Sequence, residues 1–466
     1  MLERWFRLAE RGTTLRTELL AGATTFLTMS YIAFVQPAVL SGRFSGAPTG
    51  IDFGAAAAAT CLAAALATAV MGLVAGYPIA QAPGMGENFF FVLTAIPAAR
   101  AAGAAEPWRT ALGAVFVSGL LFLLLTAFGV RRLLADAISP SLRAAIGGGI
   151  GLFIAFIGLR NAGLVVADPA TAVALAPHLF SPDALVFFAG LFAAAALHAR
   201  RVPGSLLWAI ALSTALAAAA RAAAPAAWAD TPWWHDSLLA RQFQLAGAVF
   251  SAPPSLAPTW LALDVRGALA PAMLPLVAVF FVMVVLDATG TLVAVGAHAG
   301  LDTSGETPAS RRAFASDAIG TVVGAALGTS TVTSFIESAA GVEQGGRTGL
   351  TALVVAALFA AALFVTPLVA MVASYPPLTA PALVLVGAMM VRSIAGIDAS
   401  DVTESLPAFL VLAGIPLTYS IPDGLALGFI AQPVLKLLAG RAREVRPAGA
   451  ALAFLLLCWF AFLRGS

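Results

Sequence analysis

Two carboxylates stand in stretches that otherwise exclude charge. Asp287 interrupts Phe280-Phe281-Val282-Met283-Val284-Val285-Leu286-Asp287-Ala288-Thr289-Gly290-Thr291-Leu292, and Glu337 ends the hydroxylated run Gly328-Thr329-Ser330-Thr331-Val332-Thr333-Ser334-Phe335-Ile336 before Ser338-Ala339-Ala340-Gly341. At membrane depth a charged side chain costs roughly 3 kcal/mol on insertion scales, so such groups face a cavity or a partner and mark an ion or substrate path. An ionised carboxylate accepts hydrogen bonds from N–H donors, and a protonated one can donate. Two of them facing one cavity would suit a flat ligand with several N–H edges, and either could exchange a proton during a transport cycle. Asn88, in Pro83-Gly84-Met85-Gly86-Glu87-Asn88, is a third polar group in apolar surroundings. The alternative for each of the three is a packing role with its polar atoms satisfied by neighbours.

Other candidates carry less. Glu87 adjoins Asn88 and could face the site or away from it. Asp317 stands near a predicted helix start and would there complement the helix dipole or a basic loop. Glu343 and Arg347 flank Gly345-Gly346 and would pair with each other in a loop or gate the cavity. His178, His198, His235 and His298 have no metal-ligand spacing, and no zinc or haem motif occurs, so neither a metal nor a cofactor is implied. Gly147-Gly148-Gly149-Ile150-Gly151 lacks the Lys-Ser/Thr of a phosphate loop; close helix packing explains it better.

Such groups need a membrane-embedded scaffold, and the composition supplies one. The chain has 466 residues, 60% hydrophobic and 10% charged, with a mean hydropathy of +0.94; a soluble domain carries about 25% charged residues. Apolar stretches near the length of a membrane crossing recur throughout, which predicts an all-α integral membrane protein. A formal charge of +2, with no basic run interleaved with aromatics, argues against nucleic acid as a partner. Cys61 and Cys458 lie in apolar segments and suggest buried free thiols. The Arg-rich start (Arg4, Arg7, Arg11, Arg16) runs into a segment too long for a cleavable signal.

Apolar segments fall at Leu19 to Leu40, Ala55 to Gly76, a short Ile79 to Ala95, Thr110 to Phe128, Ala144 to Leu159, Ala184 to Leu197 and Ser205 to Ala220. After a loop from Ala222 to Gly267, seven more follow: Pro271 to Val295, Ala313 to Leu327, a short Thr331 to Ala340, Thr348 to Val369, Ala380 to Val391, Leu406 to Tyr419 and Ile421 to Leu438. Gly449 to Leu463 is left over, as a fifteenth crossing or a helix lying against the bundle. Each set of seven has a short, glycine-rich third segment, and halves with odd counts insert with opposite topology. Paired interrupted segments of this kind point to a transporter's binding site. The Glu337 stretch itself predicts a short extended segment, since Thr and Ser alternate with β-branched neighbours between glycines. Arginines 131, 132, 143, 200, 201, 311, 312, 441, 443 and 446 fall on one side if the N-terminus is cytoplasmic. Trp228, Trp233, Trp234 and Trp260 then lie outside.

In these residues the chain resembles the AzgA-like adenine/guanine/hypoxanthine permeases, a branch of the nucleobase/cation symporters. The resemblance covers almost the whole chain. Its carriers are Gly22 through Ile32, Ala82 through Asn88, Gly149 through Leu159, Gly328-Thr329-Ser330-Thr331 through Val342, and Pro416 through Ile421. It implies fourteen membrane segments in two inverted seven-segment repeats, with the third and tenth segments part strand and part half-helix. Residues 1–130 (segments one to four) and 271–369 (eight to eleven) would form a core domain. Residues 131–221 (five to seven) and 370–466 (twelve to fourteen plus the C-terminal apolar helix) would form a gate domain, with 222–270 an external loop. Asp287 and Glu337 would hold the base and Asn88 would support them, with Phe335, Ile336 and Ser338 beside the substrate. Proton coupling would fall to Glu337, Asp287, Glu87 and Thr291, of which Thr291 can only relay a hydrogen bond. Two departures stand out: Val284 where relatives often have a second acid, and Glu87 where they commonly have an apolar residue.

The expected function is import of adenine, guanine or hypoxanthine by proton symport through an elevator-like alternating-access cycle. The setting would be the cytoplasmic membrane, with lipid around the protein and a homodimer as the common assembly; sodium is the other candidate ion. A xanthine or uracil transporter is the nearest alternative. An anion transporter of the same architecture would need a basic group where these carboxylates stand. A channel would want a continuous polar lining, and an enzyme an activated nucleophile or metal; neither is visible.

Overall fold

Several of the long helices in this chain begin at side-chain caps, which take up backbone N–H groups the first turn cannot satisfy. The computed structural model describes residues 2–43, 47–128, 138–177, 179–224, 231–302 and 307–462. Arg131, Arg132, His178, Trp228 and Leu463 lie outside the described residues, as do the side chains of Arg4, His298 and Cys458. Thr14 caps α1 (Leu15–Met29), which breaks at Ser30-Tyr31 before α2 (Ile32–Leu40), and Asp52 caps α3 (Phe53–Val70). Strand β1 (Gln81–Pro83) leads into the short helix α4 (Met85–Phe90), and α5 (Pro107–Ala127) follows. Ser139 caps α6 (Pro140–Asn161); β2 (Val165–Asp168) and β3 (Ala172–Leu175) form a hairpin; Ser181 caps α7 (Pro182–Ala199), and α8 spans Ser205–Ala223. Beyond the long loop come α9 (Leu274–Ala299), α10 (Pro308–Leu327) capped by Thr307, strand β4 (Val332–Ser334) and the short α11 (Ser338–Glu343). The chain ends with α12 (Gly349–Ala362), α13 (Thr366–Ala373), α14 (Ala380–Met390), α15 (Val402–Thr418), α16 (Ile421–Leu438) and α17 (Pro447–Phe462). Among the described residues nine helical stretches are long and apolar enough to cross a membrane. The protein is an all-α, multi-span membrane fold, with four short strands among the described residues.

Strands β1 and β4 pair antiparallel, Gln81 opposite Ser334, Ala82 opposite Thr333 and Pro83 opposite Val332. Gly84 N–H donates to Thr331 O (3.0 Å) and Phe335 N–H to Ala80 O (2.9 Å), extending the ladder at both ends. Two three-residue strands at membrane depth leave outer backbone groups that no water can satisfy. Threonines from the neighbouring helices meet them. Thr68 of α3 donates to Gln81 O (2.9 Å) and accepts from Gln81 N–H (2.8 Å), while Thr321 of α10 donates to Val332 O (2.8 Å).

Asp317 is not at a helix start. It lies inside α10, fully buried, and accepts from Ser334 Oγ (3.0 and 3.1 Å) and Gln81 Nε2 (2.5 Å), one residue on each strand. Nor does Arg347 pair with Glu343. Its guanidinium donates to Val342 O (2.6 Å) and Gly346 O (2.9 Å) at the end of α11, because those carbonyls lie within its reach. Glu18 of α1, also fully buried, accepts from Arg347 N–H (2.9 Å), Thr348 Oγ1 (2.8 Å), Thr351 N–H (3.1 Å) and Thr351 Oγ1 (2.6 Å), an acceptor for the unpaired donors at the start of α12.

The glycine cluster of α6 does pack closely: a Cβ on Gly151 would stand 2.7 Å from Gly387 O of α14, and one on Gly148 2.6 Å from Ile394. The β2–β3 hairpin has no counterpart in the segment pattern. Its turn is made by Asp168, whose Oδ1 accepts from Ala170 N–H (2.8 Å) and Thr171 N–H (2.9 Å). Those bonds, Thr171's foremost, hold its carboxyl below the usual range. Cys61 is a buried free thiol.

Candidate functional site

Asp287 and Thr291 lie one turn apart on α9, so with Met283 and Gly290 they share a face. That face lines a cavity of about 290 Å³. The same wall carries Tyr31 from the α1–α2 break, Gly84 to Glu87 from the start of α4, and Thr333 to Glu337 from the end of β4. The lining is completed by Arg143, Ile146, Gly147 and Ile150 of α6 with Val386 and Met390 of α14. Both interrupted segments reach the cavity at the junction of strand and half-helix.

Three carboxylates therefore share one cavity: Glu87, Asp287 and Glu337. Glu87 is buried and folds back over Gly84, where a Cβ would run into its carboxylate; an acid at this helix position suits the unpaired N–H groups of the first turn. Asp287 lies within electrostatic reach of both other acids. Glu337 is positioned by α1: Tyr31 Oη donates to its Oε1 (3.1 Å), and Thr28 Oγ1 to its backbone carbonyl (3.4 Å). Phe335 is a buried part of the wall, whereas Ile336 is 46% exposed into the space. Thr333, buried beside Asp287 on this wall, is a hydroxyl that the sequence reading did not single out.

Asn88 and Ser338 lie behind the wall. Asn88 is fully buried; its Nδ2 donates to Gln36 Oε1, and Gln36 Nε2 donates to Thr329 Oγ1 (3.1 Å) and Ser330 Oγ (2.9 Å). Ser338 Oγ accepts from Ala80 N–H (3.0 Å), one more brace on the strand pair. Sequence reasoning also passed over Tyr31, whose partner is 306 residues away, and Arg143, which reads in the sequence as one more loop-side arginine. Its place on the cavity wall follows from the α6 face that Ile146, Gly147 and Ile150 define.

Three carboxylates in one cavity offer acceptors that suit a ligand rich in N–H groups. Comparison with known proteins supplies the family. The profile described as "Permease family" matches residues 16–427. The adenine permease AdeP of Escherichia coli (strain K12) is 39% identical over 464 residues, covering 99% of this chain and 96% of its own. The guanine/hypoxanthine permease PbuO of Bacillus subtilis (strain 168) is 38% identical over 445 residues, covering 95% and 96%. Among solved structures, the transmembrane domain of a cyanobacterium bicarbonate transporter, BicA, superposes with a TM-score of 0.61 at 16% identity, covering 90% of this chain and 97% of that one, a likeness of fold. With relatives matched nearly end to end and the profile over most of its length, the chain is a permease, not an enzyme, and belongs to the AzgA-like adenine/guanine/hypoxanthine permeases of the xanthine/uracil permease superfamily.

Proposed function

We propose that this protein is a secondary active transporter that imports purine bases across the cytoplasmic membrane by proton symport. The observation that carries the reading is the meeting of Glu87, Asp287 and Glu337 in one cavity between two walls of different elements. In the cycle, a carboxylate at Glu337 or Asp287 takes up a proton, the base binds through N–H donors to the acids and to strand backbone, and Phe335 and Ile336 pack against it. Thr291 relays a hydrogen bond. The wall built from segments one to four and eight to eleven then moves against the one built from five to seven and twelve to fourteen, and proton and base leave on the other side. Fourteen segments in two inverted repeats, a cytoplasmic N-terminus and a homodimer complete the reading. The glycine contact between α6 and α14 supports it, since it lets one wall hold together as a body.

An anion cargo fits less well: the cavity lining carries three acids and one arginine. The test is uptake of radiolabelled purine into proteoliposomes with and without an inward proton gradient. Gradient-dependent accumulation is expected, and Glu337→Gln should abolish it while leaving insertion intact. Accumulation retained by that variant would count against the reading.

A further inference from the structure

The stretch Gly22 to Ile32 holds no acid or base, and Tyr31 is its one residue in the described cavity lining. What lies against α1 gives the rest of it a purpose. Glu337 stands at the start of α11, a helix of six residues, too short to hold its direction by its own hydrogen bonds. Along the segment from Glu337 to Arg347, each step meets a residue further back on α1. Thr28 Oγ1 donates to the Glu337 carbonyl (3.4 Å). A Cβ on Gly341 would run into Thr25 Oγ1 and stand 2.6 Å from Ala21 O, and one on Gly346 would stand 2.8 Å from Ala21 Cβ. Glu18 then accepts from Arg347 N–H (2.9 Å). Residues 18, 21, 25 and 28 have the three- and four-residue spacing of a single helix face. One face of α1 therefore runs antiparallel to α11 along its whole length.

Two contacts fix the alignment. At Thr25 no hydrogen bond crosses: its buried hydroxyl has no partner among the described residues, so the fit rests on Gly341 having no side chain. At the far end one guanidinium nitrogen of Arg347 donates to Val342 O (2.6 Å) and Gly346 O (2.9 Å), a cation on carbonyls that the last turn of α11 leaves open. Glu18 holds the backbone of the same residue, so Arg347 ties the end of α11 to the start of α1. At the other end of the pair, Tyr31 Oη meets Glu337 Oε1 at 3.1 Å. A slip of α11 along α1 is thus transmitted to the carboxylate.

Resting on the purine-transport reading above, we infer that α1 is a splint for α11, and that Gly341 and Arg347, which lie outside the described cavity lining, are positioning residues for Glu337.

The test measures KM and kcat for uptake of radiolabelled adenine and, separately, hypoxanthine into proteoliposomes holding the full-length protein, together with the melting temperature of each solubilised variant. Arg347→Gln should raise KM for the transported base on the order of tenfold, the scale of one charge-assisted hydrogen bond, with kcat changed much less. Arg347→Lys, whose ammonium can donate to the same two carbonyls, should stay near the wild type. Gly341→Ala should raise KM at least as far as Arg347→Gln, because Ala21 O is backbone and cannot turn aside. Gly190→Ala is the control for packing alone: a Cβ there would run into Ser213 Oγ, between α7 and α8, and should lower the melting temperature while leaving KM unchanged. If Gly341→Ala fails to insert, the two Arg347 variants carry the test. A wild-type KM in Arg347→Gln would overturn the inference, as would a KM that rises in step with lost melting temperature in the Gly341 and Gly190 variants alike. Uptake of neither base by the wild type is a separate result, which would overturn the purine reading and this inference with it.

Discussion

Tyr31 shows how one residue can govern a site without touching the chemistry. It is almost fully buried at the break between α1 and α2, and its hydroxyl donates to Glu337 Oε1 at 3.1 Å. A carboxylate with one oxygen held this way keeps the other for a ligand. Tyr31→Phe removes the hydroxyl and leaves the ring's packing in place. The expected outcome is a rise in KM for the base of about three- to tenfold, matching a hydrogen bond worth about 1 kcal/mol, with kcat and the melting temperature of the solubilised protein little changed. An equal loss in melting temperature and activity would mean that Tyr31 merely stabilises the fold. The residue types at the site were legible in the sequence, because carboxylates in apolar runs stand out; the partnerships were not. Tyr31 and Glu337 are 306 residues apart, Asn88 turns to Gln36, and nothing in the arginine pattern separates Arg143 from the arginines beside it.

Among the elements, the β1–β4 pair matters most and has least to hold it. Three residues per strand cannot satisfy their own outer edges, so the helices behind must do so. Thr321→Val removes the donor to Val332 O while keeping the side-chain shape, leaving a buried carbonyl without its partner at a cost of about 1–3 kcal/mol. Thr68→Val strands two backbone groups of Gln81 and should cost more. Thr214 of α8 is the control: its hydroxyl bonds only the Ile210 carbonyl one turn back in its own helix, so Thr214→Val should leave the melting temperature nearly unchanged. If all three variants melted alike, the strand pair would not depend on these braces. Element positions were largely readable. The run Ser205 to Ala220 matches α8 at its start, just after the left-handed Gly204, and Ile421 to Leu438 matches α16 at both ends, just after its Ser420 cap, because long apolar runs with a turn or cap residue before them leave few choices. The β2–β3 hairpin escaped because its strands are largely exposed and carry no buried face to set a period. Asp317 was misplaced because sequence spacing set the helix start too late, when Thr307 already caps α10.

At the scale of the whole molecule, the alternating access we propose would ask groups of helices to move as bodies, and one such group carries a polar clamp at its helix ends. Lys436 of α16, the only lysine in the sequence, lies 2.7 Å from Glu404 in the first turn of α15, both side chains being little exposed, and 3.4 Å from Glu444. Gln432 Nε2 donates to Glu404 Oε2 (3.0 Å) and to Ser139 Oγ (2.8 Å), the residue that caps α6. Three helices that border or back the cavity are thus joined at one end. Lys436→Met leaves the little-exposed Glu404 without its counter-ion and should cost up to about 3 kcal/mol, whereas adding Glu404→Leu removes the stranded charge and should recover most of that loss. Melting of the solubilised protein reads the stability, and purine uptake by the same variants reads the mechanism. If the clamp serves only stability, the double variant regains full transport along with its melting temperature. If it keeps the three helices moving together, the double variant melts like the wild type yet transports more slowly, because an apolar contact restores burial without fixing the register of the three helix ends.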